Sequence, residues 1–217
     1  MPRPSRNIDQ ALLKSGRALF PEFGCVGLSL RQLAEHAGVN VGMFHYHFQN
    51  KQNFLRTLLQ QMYEEMFNPL AEQAAHTGSA CERLRQTLYL FGRLMRTHGD
   101  WLGRVLVDAS LKDPVAQQFL QEHASRHLRL LLSLLEQAQA EGAFAPMPAL
   151  RRFSFVLGAV AAPMLVAPRA MQLGVLPDRL LAQATQDVLS DAAIAERVDR
   201  ALAALALPLP TSNGVLR

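Results

Sequence analysis

The chain has 217 residues, of which 49% are apolar and 18% charged, with two cysteines and a formal net charge of +4. That length and apolar content predict a globular protein, one large domain or two small ones with a packed core. Cys25 and Cys81 form no CxxC or Cys/His ligand cluster, which argues against a cysteine-based metal centre and leaves two reduced, structural thiols.

Cys25 falls at a join that reads as exposed, but no basic neighbour activates it for redox sensing. The opening MPRPSRN leads into an amphipathic segment rather than a secretory signal, so the cytoplasm is expected. Residues 153–167 form the most apolar run; Pro163 and Pro168 interrupt it and Arg151, Arg152 and Arg169 bracket it, which predicts a buried helix rather than a membrane span.

Ile8 to Phe23 is the first helix candidate, with Ile8, Leu12, Leu19, Phe20 and Phe23 on one face and small Ser15 and Gly16 open to a close neighbour. Pro21 predicts a kink or an end near Phe20. Ser29 and Gln32 form a capping box, Leu30, Leu33, Ala34 and Ala37 share a face, and Gly38 stops the helix in the left-handed conformation. Asn40 then caps a second short helix, Val41 to Phe48, with Phe44 and Phe48 on its inner side. Two short helices joined by a tight glycine turn make a helix-turn-helix, whose second helix enters the DNA major groove. Charge agrees: residues 1–51 carry a net +3 and the remaining residues +1, with His36, His45 and His47 adding to the basic end.

Phe54, Leu55, Leu58, Leu59, Met62, Tyr63 and Met66 continue as a helical stripe from Gln52 until Asn68-Pro69 interrupts it. A loop at residues 76–80 precedes a Ser79-capped helix from Cys81 to His98, which Gly99-Asp100 ends. Trp101 to Leu111 is then a separate short helix, and Pro114 suits the first position of a long one running from Val115 to about Ala140. Leu150 to Val166 and Pro177 to Ala206 follow, with a break at Ser190-Asp191, and residues 207–217 read as a flexible tail. No strand pattern and no internal repeat is visible, so the fold class is all-α with nine or ten helices.

Phe20, Gly24, Ser29, Gly38-Val39, His45-Tyr46-His47-Phe48 and Lys51, at these spacings across residues 6–55, resemble the DNA-binding domain of the TetR family of bacterial transcriptional regulators. The resemblance implies an N-terminal three-helix DNA-binding domain (1–51) and a helical effector-binding and dimerisation domain (52–206). It places Ser29 and Arg31 at the backbone and groove edge, Asn40 as recognition-helix cap, and Val41, Gly42 and Met43 over the bases. Lys51 matches a phosphate-binding lysine. His45 stands where the family usually has tyrosine; an imidazole still donates to phosphate, more strongly when protonated, and Tyr46 and His47 complete the DNA-binding set. Val41, Gly42 and Met43 offer no bidentate base contact, which leaves Arg31 as guanine reader and DNA shape as a further source of specificity.

By the same resemblance an effector pocket is expected, built from Phe91, Met95, Trp101, Val105, Phe119, Phe153 and Met164, with a hydrophobic small molecule as ligand. Gly158, Ala159, Ala161 and Ala162 allow close helix approach, so a homodimer through the 150–166 and 191–206 helices is expected, its two reading heads about 35 Å apart on a near-palindromic operator. The implied function is a repressor released by its effector. The alternative is a TetR-like architectural DNA binder, or one controlled by a protein partner. No nucleophile, base and orienting group come together, so an enzyme is not expected, and no cofactor or metal motif is present. His123 and His127, four apart, lack a third ligand; Glu122 with Arg126, and Arg104 with Asp108, read as structural ion pairs.

Overall fold

The computed structural model describes residues 5–206, with side chains from residue 8 onward. The expected flexible tail at 207–217 lies outside the described residues. Nine α-helices and no strand occur among the described residues: α1 (Ser5–Gly27), α2 (Leu30–Ala37), α3 (Val41–Phe48), α4 (Lys51–Ala74), α5 (Ala80–Ser110), α6 (Pro114–Ala140), α7 (Ala149–Gln172), α8 (Asp178–Ala184) and α9 (Asp191–Ala206). A single π-helical turn, Thr185–Leu189, joins α8 to α9.

The chain divides into two compact units. The first holds residues up to Asn68 together with His98–His127; the second holds Pro69–Thr97 and residues from Leu128 onward.

In the first unit α1, α2 and α3 pack on one another around Leu12, Phe20, Leu33 and Phe44, and Phe54 and Leu58 of α4 reach into the same core, all of them buried. Gly16 makes this possible: a β-carbon there would lie 2.7 Å from Phe54 Cζ and 3.0 Å from Leu58 Cδ2. The backbone of α1 therefore rests directly on α4, as expected of its small residues.

Helix α1 does not end at Pro21. It absorbs the proline and breaks at Gly24, where φ is 65° and ψ −165°. Likewise α4 runs on through Pro69 because Met66, Leu70 and Ala74 keep its stripe buried. An interior proline costs about 3 kcal/mol, and a fully buried leucine alone returns about 1.5–3 kcal/mol.

The two helices expected around Gly99 are one helix, α5. A glycine inside a helix costs only about 1 kcal/mol, and Trp101 and Val105 continue the buried face beyond it. The Ser79 cap falls where the sequence puts it, and Asp113 supplies a second cap that the sequence places only in a turn. The amide of Glu82 donates to Ser79 Oγ at 3.2 Å. Asp113 Oδ1 accepts from the amides of Val115 (3.0 Å) and Ala116 (2.9 Å) at the start of α6.

In the second unit α7 packs on α9. Gly92 of α5 lets the Ile194 and Val160 side chains approach to where its own β-carbon would stand, 2.7 Å and 3.2 Å away. Ser190 breaks the chain as expected, and its Oγ accepts from the Ala193 amide at 3.1 Å to start α9.

Helix α7 runs through both Pro163 and Pro168 and buries only one face. Phe153, Val156, Val160, Ala161 and Met164 face inward, while Leu150, Phe155 and Val166 are exposed. It is also long and apolar enough to cross a membrane, by length and composition alone. This corrects the expectation of a wholly buried helix: in the single chain its outer face has no cover.

Candidate nucleic-acid interface

Local chemistry dictates the helix-turn-helix. Ser29 Oγ accepts from the Gln32 amide at 3.2 Å while Gln32 Oε1 accepts from the Ser29 amide at 3.1 Å, so the capping box is complete. Gly38, at φ 67°, closes α2 in the left-handed conformation, and the Val39 amide reaches back to the Ala34 carbonyl at 3.0 Å. Asn40 Oδ1 accepts from the Gly42 amide at 2.8 Å and starts α3.

Three rings then seat α3. The Phe44 centroid lies 5.6 Å from Phe48 and 5.4 Å from Phe54, and Phe48 meets Phe54 edge-on at 5.0 Å. With these two phenylalanines turned inward, helical spacing turns the rest of α3 outward. Val41, Gly42, His45 and Tyr46 are exposed, Tyr46 at 75%, and Met43 and His47 are half-buried.

The exit from α3 is strained. Gln49 has φ 63° and ψ −53°, and the Asn50 amide donates to the Phe48 carbonyl at 2.7 Å, a γ-turn that L-residues rarely adopt. Asn50 Oδ1 then caps α4 through the Asn53 amide at 2.9 Å. This tight corner sets the angle between α3 and α4.

Four of the charged or polar candidates carry intramolecular contacts, and only that of Arg31 is an i,i+4 side-chain pair within one helix. Arg31 Nε donates to Glu35 Oε1 at 2.8 Å along the exposed face of α2. Lys51 Nζ donates to the Val26 carbonyl at 3.1 Å, so the ammonium also caps the end of α1. His45 Nδ1 lies 3.0 Å from the Gln49 carbonyl, which can only accept, so the Nδ1 proton is committed there and Nε2 is the free ring atom. His47 packs edge-on against Tyr46 at 5.2 Å, and its Nε2 is buried without a hydrogen-bond partner.

At the end of α1, the break is filled by side chains of α5. Arg104 Nη1 donates to the Glu22 carbonyl at 3.2 Å, and Asp108 Oδ2 accepts from the Cys25 amide at 2.6 Å. Arg104 Nη2 pairs with Asp108 Oδ1 at 3.1 Å, and the Asp108 side chain is fully buried. Cys25 is buried too, which corrects the exposed join read from the sequence. Burial, followed by the nearby carboxylates of Asp113 and Asp108, pushes its thiol well above the ordinary range, so it is an inert thiol.

All seven expected pocket residues are buried, but they are divided between the units: Trp101, Val105 and Phe119 in the first, Phe91, Met95, Phe153 and Met164 in the second. Trp101 and Phe119 come together at 6.1 Å, and Phe119 also lines a cleft of about 60 Å³ with Arg56, Gln60, Gln118 and His123. His123 and His127 lie against Tyr63, and burial lowers the pKa of both. Among the described residues no group of three metal-ligating side chains converges. Arg126 pairs with Glu64 of α4, not with Glu122, and its guanidinium sits 4.2 Å over Phe67; Glu122 accepts from Gln118 Nε2 at 2.7 Å instead. Reach across the helix pair decides that choice, which spacing along α6 could not reveal.

Comparison with known proteins agrees with the geometry. Residues 12–58 match the model of "Bacterial regulatory proteins, tetR family". A probable HTH-type transcriptional regulator of Bacillus subtilis, YttP, is 21% identical over 139 residues, spanning 63% of this chain and 67% of that protein. Among solved structures, Bacillus subtilis FadR in complex with stearoyl-CoA is 14% identical over 91% of this chain and 97% of its own, with a TM-score of 0.63. The ketosteroid transcriptional regulator KstR2 of Mycobacterium tuberculosis is 16% identical over 92% and 95%, with a TM-score of 0.65.

Proposed function

We propose that this chain, a member of the TetR family of bacterial regulatory proteins, is a repressor that holds an operator as a homodimer and is released by a small molecule. The observation that carries the DNA-binding half is the seating of α3: Phe44 and Phe48 turned inward, Val41, Gly42, His45 and Tyr46 turned to solvent. An eight-residue helix so anchored is shaped to enter a major groove.

In this reading Val41, Gly42 and Met43 meet bases, and Arg31 reads guanine once it exchanges Glu35 for DNA. Ser29, Tyr46 and Lys51 lie along the phosphates, Asn40 caps the recognition helix, and His47 lies on the same helix beside Tyr46. Neutral His45 presents only an acceptor at Nε2, so its phosphate contact is made by the imidazolium. The uncovered face of α7, Leu150, Phe155 and Val166 around Gly158, supports a second copy as its cover. Helix α9, packed on α7, completes the dimer side.

FadR holds stearoyl-CoA and KstR2 is a ketosteroid regulator. For this chain we infer a hydrophobic effector as well, on the strength of its apolar and aromatic interior. Linkage requires that effector to bind the released state more tightly by the factor it weakens operator binding. The buried placement of all seven expected pocket residues favours the second reading to this extent: a regulator answering to a protein partner needs no internal cavity.

The test is selection of bound DNA from bacterial genomic fragments, repeated with fatty acyl and steroid ligands. The expected result is a near-palindromic site whose occupancy falls with one ligand class. Footprints with no preferred site would remove the regulator reading; a preferred site indifferent to every ligand would favour the partner-controlled one.

A further inference from the structure

We propose that Arg104 and Asp108 are positioning residues for DNA recognition: together they clamp the broken end of α1 and fix the direction in which the reading head leaves α5. The proposal rests on the dimeric-operator reading above, and it adds residues more than fifty positions beyond the helix-turn-helix.

The break in α1 is not made by Pro21. Pro21 lies three residues earlier and the helix passes through it. At Gly24 the backbone turns to φ 65°, and a β-carbon there would stand 2.2 Å from Arg104 Nε and 2.3 Å from Asp108 Oδ2. The space a side chain needs is occupied by the ion pair. Glycine is thus required twice, for the conformation and for the room.

The pair is bound to the backbone it displaces. A helix end leaves orphan amides and carbonyls, and here they are met one by one. Asp108 Oδ2 takes the Cys25 amide at 2.6 Å, Arg104 Nη1 gives to the Glu22 carbonyl at 3.2 Å, and Lys51 Nζ gives to the Val26 carbonyl at 3.1 Å. On the far side, the Asp113 amide donates to the Asp108 main-chain carbonyl at 3.0 Å. A fully buried carboxylate with a charged partner and a backbone donor is held in one geometry. The last turn of α1 leads by two residues into the Ser29 cap, so whatever orients that turn orients α2 and, through Gly38, α3.

The consequence concerns spacing rather than contact. A head that swings on α5 still reads one half-site, but two such heads no longer meet two half-sites at a fixed separation. The chemistry at the bases is untouched while the operator as a whole is lost.

The experiment compares duplexes carrying the full selected site with duplexes carrying one half-site, for the intact chain and for Asp108→Ala, Asp108→Asn and Arg104→Lys. Expected is a loss of about tenfold or more in full-site over half-site preference for Asp108→Ala, the scale of one charge-assisted hydrogen bond. Asp108→Asn, which keeps an acceptor for the Cys25 amide, should recover part of it, with half-site affinity unchanged throughout. A folded Asp108→Ala that retains the wild-type ratio overturns the proposal, since a purely structural role lowers melting temperature and leaves that ratio alone. If Asp108→Ala does not fold, Arg104→Lys decides, because it keeps the charge and removes the guanidinium reach to Glu22. A wild type without full-site preference refutes the dimeric-operator reading itself.

Discussion

Truncating Phe44 to alanine tests the seating of the reading helix. The side chain is fully buried, one of only two buried residues in α3, with ring neighbours at 5.6 Å and 5.4 Å. An isolated helix needs about 12–15 residues to persist in water, and α3 has eight, so its helicity depends on these two rings. Removing a buried phenylalanine costs about 3–5 kcal/mol. The upper end applies here because Phe54, which would have to collapse into the cavity, is itself pinned against the Gly16 backbone. A domain stands about 5–15 kcal/mol above its unfolded state, so most of the margin around α3 goes while α9, in the other unit, keeps its own. Urea titration should show the loss for Phe44→Ala and less than about 1.5 kcal/mol for Phe44→Leu. Amide exchange should show α3 deprotected and α9 unchanged. A Phe44→Ala chain within 1 kcal/mol of wild type, or one whose α3 amides stay protected, would mean that something other than these rings seats the helix.

Lys51→Ala should weaken selected and random duplexes alike and flatten the dependence of log affinity on log salt by about one unit, whereas Arg31→Ala should relax sequence preference with little change in slope; equal slopes for wild type and Lys51→Ala remove the phosphate role. The pKa values of His98, His123 and His127 are each lowered by burial, so the folded chain prefers them neutral. Their contribution is present above the ordinary histidine pKa of about 6.5 and is lost as pH falls through it, because the unfolded chain then binds protons that the folded one refuses. Melting temperature should therefore drop between about pH 7 and 5, less steeply in His127→Leu, and a flat profile there contradicts the burial. Glu65, held below its usual range chiefly by its hydrogen bond from Arg17, yields only at lower pH and separates from the histidine step.

Local signals carried the reading head and long-range ones did not. Ser29 with Gln32, Gly38 and Asn40 have fixed meanings at fixed offsets, and each does in the structure what its offset says. Glu35 as partner of Arg31 was equally available, four residues on in the same helix. Helix breakers are weak stops here: Pro69, Gly99, Pro163 and Pro168 all lie inside helices, because their cost is local while the burial that offsets it comes from residues far along the chain. The Arg104–Asp108 pair is legible as an i,i+4 pair, but nothing in its spacing says that it fills the space above Gly24. Arg126 chose Glu64 over Glu122 for the same reason, a neighbour supplied by folding rather than by sequence.

The composition of the reading face makes rigidity the stronger requirement in the proposed mode. A bidentate side-chain contact discriminates one base by about 1–3 kcal/mol, and a face opening Val41, Gly42, Met43 has none. Arg31, the one guanidinium on α2, starts out bonded to Glu35 and must give up that partner to gain a base. Discrimination within each half-site is then small, and what remains is DNA shape and the simultaneous fit of two half-sites. Simultaneous fit is worth its full value only when the separation of the heads is fixed. A reader rich in base contacts tolerates some play at the end of α1; this one, with a buried carboxylate and a guanidinium locked into the break at Gly24, is built to have little.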